Sequence, residues 1–317
     1  MKVLVTGGAG FIGSHFILAL LKERSDVSVI NVDQLTYAAK LEHLQAVEND
    51  DRYQFVRADV TDQRKMIQLV TEQHVDAIVH FAAESHVDRS IAHTSPFIRT
   101  NVQGTDALLQ AALSGDVKRF IQVSTDEVYG TLTREDEALF TERSPLQPNN
   151  PYAASKASAD LLVRAYHQTY GLPVCITRCS NNYGPHQHEE KLIPTLIKKA
   201  MNNEPLPLYG DGQNIRDWLY VEDHVQGILK VLEYGKPGEV YNIGGYNELT
   251  NQTIAEKIVE AFQLPISQIH YVEDRKGHDR RYAIQADKIE RELGWKATTD
   301  FDRAFQHTID WYVGVNR

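Results

Sequence analysis

Lys2-Val3-Leu4-Val5-Thr6-Gly7-Gly8-Ala9-Gly10-Phe11-Ile12-Gly13 decides how the first half of the chain folds. A short β-branched run meets a glycine-rich turn, and a helical pattern then continues through about Lys22. Gly7 permits a tight turn, Gly10 lets the backbone come close to a pyrophosphate, and Gly13 allows the helix to pack closely on the strand. The helix start, with Phe11 and Ile12, offers free N–H groups to phosphate oxygens. A second strand pattern, Val27 to Val32, ends at Asp33, 20 residues beyond Gly13. A carboxylate there accepts hydrogen bonds from ribose hydroxyls and repels a 2′-phosphate, which favours NAD over NADP.

The same alternation continues outward. Gln54 to Arg57 reads as a third strand ending near Asp59 and Val60, an edge for an adenine pocket. Helical spacing follows over Gln63 to Glu72, and a fourth strand over Asp76 to Phe81 closes on Ala82 and Ala83, which leave room for a dinucleotide. Glu84 to Ser90 reads as a polar loop at the carboxyl end of that strand, the side on which ligands sit in an open parallel sheet. It carries Glu84, Ser85 and Asp88; His86, Asp88 and His93 form no metal-ligand pattern, and no metal is expected. A long helix over Pro96 to Ala112, a fifth strand over Phe120 to Val123, a helix from near Pro151 to Tyr170 and a sixth strand over Val174 to Thr177 complete the series. The expectation is an α/β chain: a Rossmann-like doubly wound parallel sheet in residues 1–184, and a smaller substrate-binding region in 185–317 that returns elements to the main sheet.

Charge and composition narrow the class. Lys+Arg number 33 against Asp+Glu 43, a formal charge of -10, which argues against a nucleic-acid partner. Two cysteines, Cys175 and Cys179, suggest neither a disulfide framework nor a zinc site. No secretion signal and no run near the ~20 apolar residues of a bilayer span is visible. A cytoplasmic protein without a membrane partner is the expectation.

Chemistry gathers in two stretches. Ser124-Thr125-Asp126-Glu127-Val128-Tyr129-Gly130 ends the fifth strand, and Tyr152 and Lys156 are one helical turn apart. Tyr152 can take a proton from an alcohol that gives up a hydride, provided its phenol is brought down from about 10, and Lys156 favours the phenolate. Ser124 or Thr125 can hold that alcohol. Asp126 and Glu127 can divide the roles of acid and base in eliminating water beside a temporary ketone. They read equally as a polar strand-to-loop junction in a simple dehydrogenase or epimerase.

Together with Ser180-Asn181-Asn182-Tyr183-Gly184-Pro185, the run from Ile215 to His224, Tyr241-Asn242-Ile243-Gly244-Gly245 and Gly277-His278-Asp279-Arg280-Arg281-Tyr282, these motifs make the chain resemble the dTDP-glucose 4,6-dehydratases of the extended short-chain dehydrogenase/reductase superfamily along essentially its whole length. The resemblance implies tightly held NAD and conversion of dTDP-glucose to dTDP-4-keto-6-deoxyglucose and water, by C4 oxidation, C5/C6 elimination and hydride return to C6. It implies Tyr152 as the C4 base, Thr125 orienting the C4 oxygen, Glu127 as the C5 base and Asp126 as the C6 acid. It also implies Asn182, Lys191, Leu192, Arg216 and Arg281 against the nucleoside diphosphate, with His278 and Tyr282 nearby, Ser85, Glu84 and Asp88 around the sugar, and a homodimer through the helices around 97–112 and 152–168. A 4,6-dehydratase or epimerase of another nucleotide sugar, and a dinucleotide-sensing regulatory protein, are the alternatives. One departure is Glu189, where the family usually carries proline, which would add a negative charge near the diphosphate.

Overall fold

The β-branched run at the start forms β1 (Lys2–Thr6), and α1 (Phe11–Glu23) follows the glycine turn. Next come β2 (Ser28–Asp33), β3 (Tyr53–Arg57), α2 (Gln63–Glu72) and β4 (Ala77–His80). The computed structural model describes residues 1–315. The stretch read as a polar loop after β4 forms α3 (Val87–Ala92), a correction: His86 caps it, its Nδ1 accepting from the Arg89 N–H at 3.3 Å. Polar residues that hid the helix from a reading of apolar periodicity thus include the one that starts it.

The long helix expected over 96–112 is wound unevenly. It begins as α4 (Ser95–Phe97), passes through a π-helical stretch, Ile98–Gln103, and continues as α5 (Gly104–Ser114). Within the π stretch Asn101 donates to the Glu84 carbonyl at 3.0 Å and to Ser155 Oγ at 2.8 Å, tying the loop after β4 to the next long helix. Such widened turns recur where a helix must deliver a side chain to a site. β5 (Arg119–Thr125), α6 (Pro151–Tyr170) and β6 (Val174–Cys179) complete the first half. Asn150 caps α6 through Ala153 N–H, and Gly171 at φ 72° closes it in the left-handed region.

Later come β7 (Asn181–Tyr183), α7 (Leu192–Met201), β8 (Leu206–Tyr209), β9 (Ile215–Tyr220), α8 (Val221–Tyr234), β10 (Val240–Ile243), β11 (Glu248–Thr250), α9 (Asn251–Ala261), β12 (Ile269–Val272), α10 (Asp287–Leu293) and α11 (Phe301–Val315). The short strands β7, β8, β11 and β12 and helix α10 carry no pattern that the sequence reading found.

The main sheet has seven parallel strands in the order β10-β6-β5-β4-β1-β2-β3. Successive strands run outward from β1 in opposite directions, so the crevice beyond β1 and β4 is the switch point of the topology. β10, from the second half, pairs with β6, as Val240 opposite Ile176 through Ile243 opposite Cys179. One face buries Phe16, Ile17 and Leu20 of α1 with Ile228 and Leu232 of α8; the other buries Met66, Leu108, Leu109 and Val163. A separate core of Leu196, Ile197, Ile254, Ile258, Phe301 and Phe305 holds the second region, whose three-stranded sheet runs β11-β9-β7. The inner face of α6 is Tyr152, Ala153, Lys156, Asp160 and Val163, and Leu161 on its outer side is 57% exposed. Among the described residues no helix is long and apolar enough to cross a membrane.

Candidate active site

The glycine turn is built at the switch point under severe steric limits. Gly7 has φ 69°, and a Cβ on it would lie 2.7 Å from Ala82 N; a Cβ on Gly13 would lie 2.3 Å from the Gly7 carbonyl oxygen. A Cβ on Gly10 would meet only the Gly7 carbonyl oxygen, at 3.2 Å, so its front is open. No side chain caps the start of α1 and no acid stands in its first turn, which leaves a slot suited to an anion. Asp33 is fixed at the end of β2, its two oxygens accepting from Ala9 N–H at 3.0 Å and Leu35 N–H at 2.8 Å, and burial pushes its carboxyl up.

A cleft of about 320 Å³ runs from this turn across the carboxyl ends of the strands. Gly7, Gly10, Phe11, Ile12, Gly13, Asp33, Asp59, Val60, Ala82, Ala83 and Glu84 line one end, and Thr125, Asp126, Glu127, Tyr152 and Lys156 the other. A second cavity of about 420 Å³ adjoins it, lined by Asp88, Leu192, Arg216, His278 and Tyr282. Ser85, Glu127, Asn182 and Lys191 belong to both walls, so Glu127 sits where the two spaces meet.

β5 ends in a one-turn 3-10 helix over Asp126–Tyr129 that turns the two acids to different surroundings. Asp126 is buried; Thr125 Oγ1 donates to its Oδ1 at 3.3 Å, while Oδ2 has no hydrogen-bond partner among the described residues. Burial raises its carboxyl well above the usual range, and the negative charges of Glu127 and Asp217 add to this. Glu127 is half-buried and is also raised by burial, but the cations Arg216 and Lys191 oppose the rise, and Asn150 Nδ2 donates to its Oε2 at 3.4 Å. Both carboxyls are thus biased toward the protonated form, Asp126 the more strongly, because Arg216 and Lys191 hold the rise back at Glu127.

Tyr152 departs from expectation. Its phenol is raised well above 10, by burial first and then by the charge of Glu127, while the Thr125 hydroxyl lowers it. Lys156 lies one turn on, buried, with its Nζ donating to the Val123 carbonyl at 2.7 Å, and burial lowers its own ammonium. Lys156 stands one turn along the same helical face, and desolvation opposes the lowering of the phenol that taking a proton from an alcohol requires.

Of the expected diphosphate contacts, Arg216 lies over the Tyr282 ring at 4.3 Å and donates to the Asp279 carbonyl at 2.9 Å, and Lys191 Nζ donates to the Ser85 carbonyl at 2.7 Å. Arg281 is not brought to either cavity. Its guanidinium forks onto Glu248 at 2.6 and 2.9 Å and donates to the Asp136 carbonyl, so the phosphate role read for it is corrected. Arg275, six residues earlier, lines the second cavity, with its Nε buried and unpartnered among the described residues. Glu189 is also corrected: it pairs with Lys198 on the surface of α7, and the neighbouring Glu190 is the acid that lines both cavities. Asn150 and Gln187 escaped the sequence reading, and Asn181 and His224 entered it only inside motifs, with no role at the site. His224 is fully buried and meets Asn182 Oδ1 at 2.8 Å, a contact that no linear signal announces. Among the described residues no cluster of three or more His, Cys, Asp or Glu could hold a metal ion.

The sequence profile of the GDP-mannose 4,6 dehydratase family matches residues 4–308. The chain is 52% identical to the low-salt glycan biosynthesis protein Agl12 of Haloferax volcanii, covering 99% of both proteins. It is 50% identical to the dTDP-glucose 4,6-dehydratase of Shigella flexneri, covering 99% of this chain and 93% of that one. The crystal structure of DesIV, a dTDP-glucose 4,6-dehydratase from Streptomyces venezuelae with NAD bound, superposes with a TM-score of 0.96 at 51% identity, over 99% of this chain and 97% of that one. Half the residues are thus shared over nearly the full length, and this chain belongs to the GDP-mannose 4,6 dehydratase family, within its dTDP-glucose 4,6-dehydratase branch.

Proposed function

We propose that the chain converts dTDP-glucose to dTDP-4-keto-6-deoxyglucose and water, with NAD held at the glycine turn and the nucleotide in the second cavity. The glycine cradle, the uncapped start of α1 and the fixed Asp33 carboxylate fit a dinucleotide without a 2′-phosphate. NAD, when bound, supplies the hydride acceptor and later the hydride donor.

The side chains divide the remaining work. Thr125 orients the C4 hydroxyl and Tyr152 takes its proton. The C4 ketone acidifies C5–H, Glu127 removes that proton, and Asp126 protonates the departing C6 hydroxyl, which leaves as water; as C6 takes back the hydride, Glu127 returns the proton to C5. Lys156 supports Tyr152 electrostatically; Arg216, Lys191 and Asn182, joined by Arg275, receive the diphosphate. Ser85, Glu84 and Asp88 face the sugar, His278 stands toward the nucleotide end, and the Tyr282 hydroxyl donates to Glu127 Oε2 at 3.4 Å. The observation that carries this reading is the unlike setting of two adjacent acids, one buried in the cleft wall and biased toward its neutral form, the other at the junction of the cavities where Arg216 and Lys191 oppose that bias.

Residues 1–184 form the cofactor-binding part and 185–317 the substrate-binding part, with β10 returned to the main sheet. Two copies pair through the outer faces of the helical run over 97–112 and of α6, where Ile98 of the π-helical stretch (43% exposed) and Leu161 are available; light scattering of the purified protein checks for a dimer mass.

The deciding experiment feeds dTDP-glucose carrying deuterium at C4. The expected product is lighter by one water, carries the deuterium at C6, and accumulates without net reduced nicotinamide. A product of unchanged mass with inverted C4 would replace the reading with an epimerase.

A further inference from the structure

Tyr152 and Lys156 have a third member on the same helical face. Asp160 follows Lys156 by one turn of α6, and both are buried. Residues four apart on a helix are neighbours in space. Arg178 of β6 donates from Nε to Asp160 Oδ2 at 2.9 Å, and the two side chains are 6% and 1% exposed. The other oxygen, Oδ1, is buried with no hydrogen-bond partner among the described residues. A carboxylate left half-satisfied in the interior is costly unless a nearby cation uses its charge.

Arg178 is itself held from the far side. It donates to the Tyr129 hydroxyl at 3.0 Å and lies over that ring at 4.9 Å, and the Tyr129 hydroxyl donates to Asn242 Oδ1 at 2.7 Å. The chain Asn242–Tyr129–Arg178–Asp160 therefore joins β10, the 3-10 turn after Asp126, β6 and α6 behind the reacting groups. We propose that Asp160 is a positioning residue for the reaction: oriented by Arg178, it supplies the countercharge that fixes the Lys156 ammonium between Val123 and Tyr152.

The groups acting on Lys156 are few. Asp160 on its own helix and Cys179 on β6 favour its charged form, burial opposes it, and Lys156 in turn lowers His80 on β4. The Cys179 thiol is raised far above its usual range and is neutral at ordinary pH, so Asp160 is the anion that matters. The inference rests on the proposed pairing of Tyr152 and Lys156 in the C4 step.

The test follows the Lys156 13Cε and Asp160 13Cγ resonances through a pH titration of the NAD-loaded protein. In the unmutated chain the Asp160 signal should move as Lys156 loses its proton. In Asp160→Asn/Arg178→Gln, which removes the Arg178 cation together with its carboxylate partner, Lys156 should titrate about one pH unit lower, a tenfold change in its equilibrium. kcat in the alkaline range should fall about tenfold with KM within about twofold, because Asp160 touches no substrate, and Asp160→Glu should restore part of the loss. An Asp160 signal blind to Lys156, or an unmoved Lys156 midpoint in a double variant that merely melts earlier, would overturn the proposal. A wild-type protein that dehydrates no nucleotide sugar would refute the proposed function instead and leave the coupled titration intact.

Discussion

His224 Nδ1 lies 2.8 Å from Asn182 Oδ1 and fixes the amide whose Nδ2 donates to the Ser180 carbonyl at 3.0 Å. Asn182 faces both cavities, so this contact reaches the nucleotide sugar through one intermediary. His224→Phe keeps the bulk and removes the hydrogen bond. kcat/KM for dTDP-glucose should fall about tenfold, corresponding to about 1.4 kcal/mol of lost transition-state stabilisation. Steady-state kinetics beside an unchanged circular dichroism spectrum check it.

Asp126 sets activity against stability. Its carboxyl is raised in the folded chain, so the contribution to stability is present below the unfolded value near 3.9 and is lost as pH rises through the folded one. At neutral pH the folded protein therefore carries a penalty. Asp126→Asn should abolish elimination while raising Tm at pH 7, by ~2–4 °C for each kcal/mol recovered, and the gain should vanish near pH 4. Calorimetry at the two pH values measures it.

Glu127→Gln and Tyr152→Phe should stop the reaction at different stages. The phenylalanine variant should form no reduced nicotinamide with bound sugar. The glutamine variant should form it and stall before water leaves, with turnover down ~10²–10⁴-fold, the range for a lost general base. Rapid-quench mass spectrometry of the sugar separates the two.

Acid should loosen the cofactor turn. His43 and His186 stack at 4.3 Å, His15 and His186 approach to 5.0 Å, His43 Nδ1 meets the Ala9 carbonyl at 3.2 Å, and His15 Nε2 meets the Pro185 carbonyl at 3.0 Å. Burial lowers all three imidazoles, His186 to about 3; Glu222 opposes this at His15 and Glu42 at His43, while Lys40 reinforces it at His43. A lowered histidine favours folding above the unfolded value near 6.5, and that advantage disappears as pH falls toward the folded one. Tm should decline below pH of about 6.5. His186→Asn, which accepts the left-handed φ of 69° found there, should flatten the decline.

The sheet was legible because β1, β2, β4 and β5 are β-branched runs followed by glycine, alanine or polar turns. β7 and β11 were not: three residues each, they gain strand character only by pairing with β9, a non-local partner. β8 and β12 likewise pair across 60 residues of chain. At the site, residue types were readable and addresses were not. The run Arg275-Lys276-Gly277-His278-Asp279-Arg280-Arg281 offers several cations, and Glu248 on β11 decides that Arg281 is spent in a structural ion pair while Arg275 stays at the cavity. Glu189 and Glu190 differ by one step along the backbone, and Lys198 on α7 draws only the first outward.

The docking of β10 against β6 has a consequence for anyone wishing to dissect the molecule. Cutting the chain after residue 184 would strip β6 of its outer neighbour and leave its amide row bare, a template for uncontrolled association. A fragment carrying every proposed cofactor and proton-transfer residue would then be the less manageable half, and the workable unit is the undivided polypeptide.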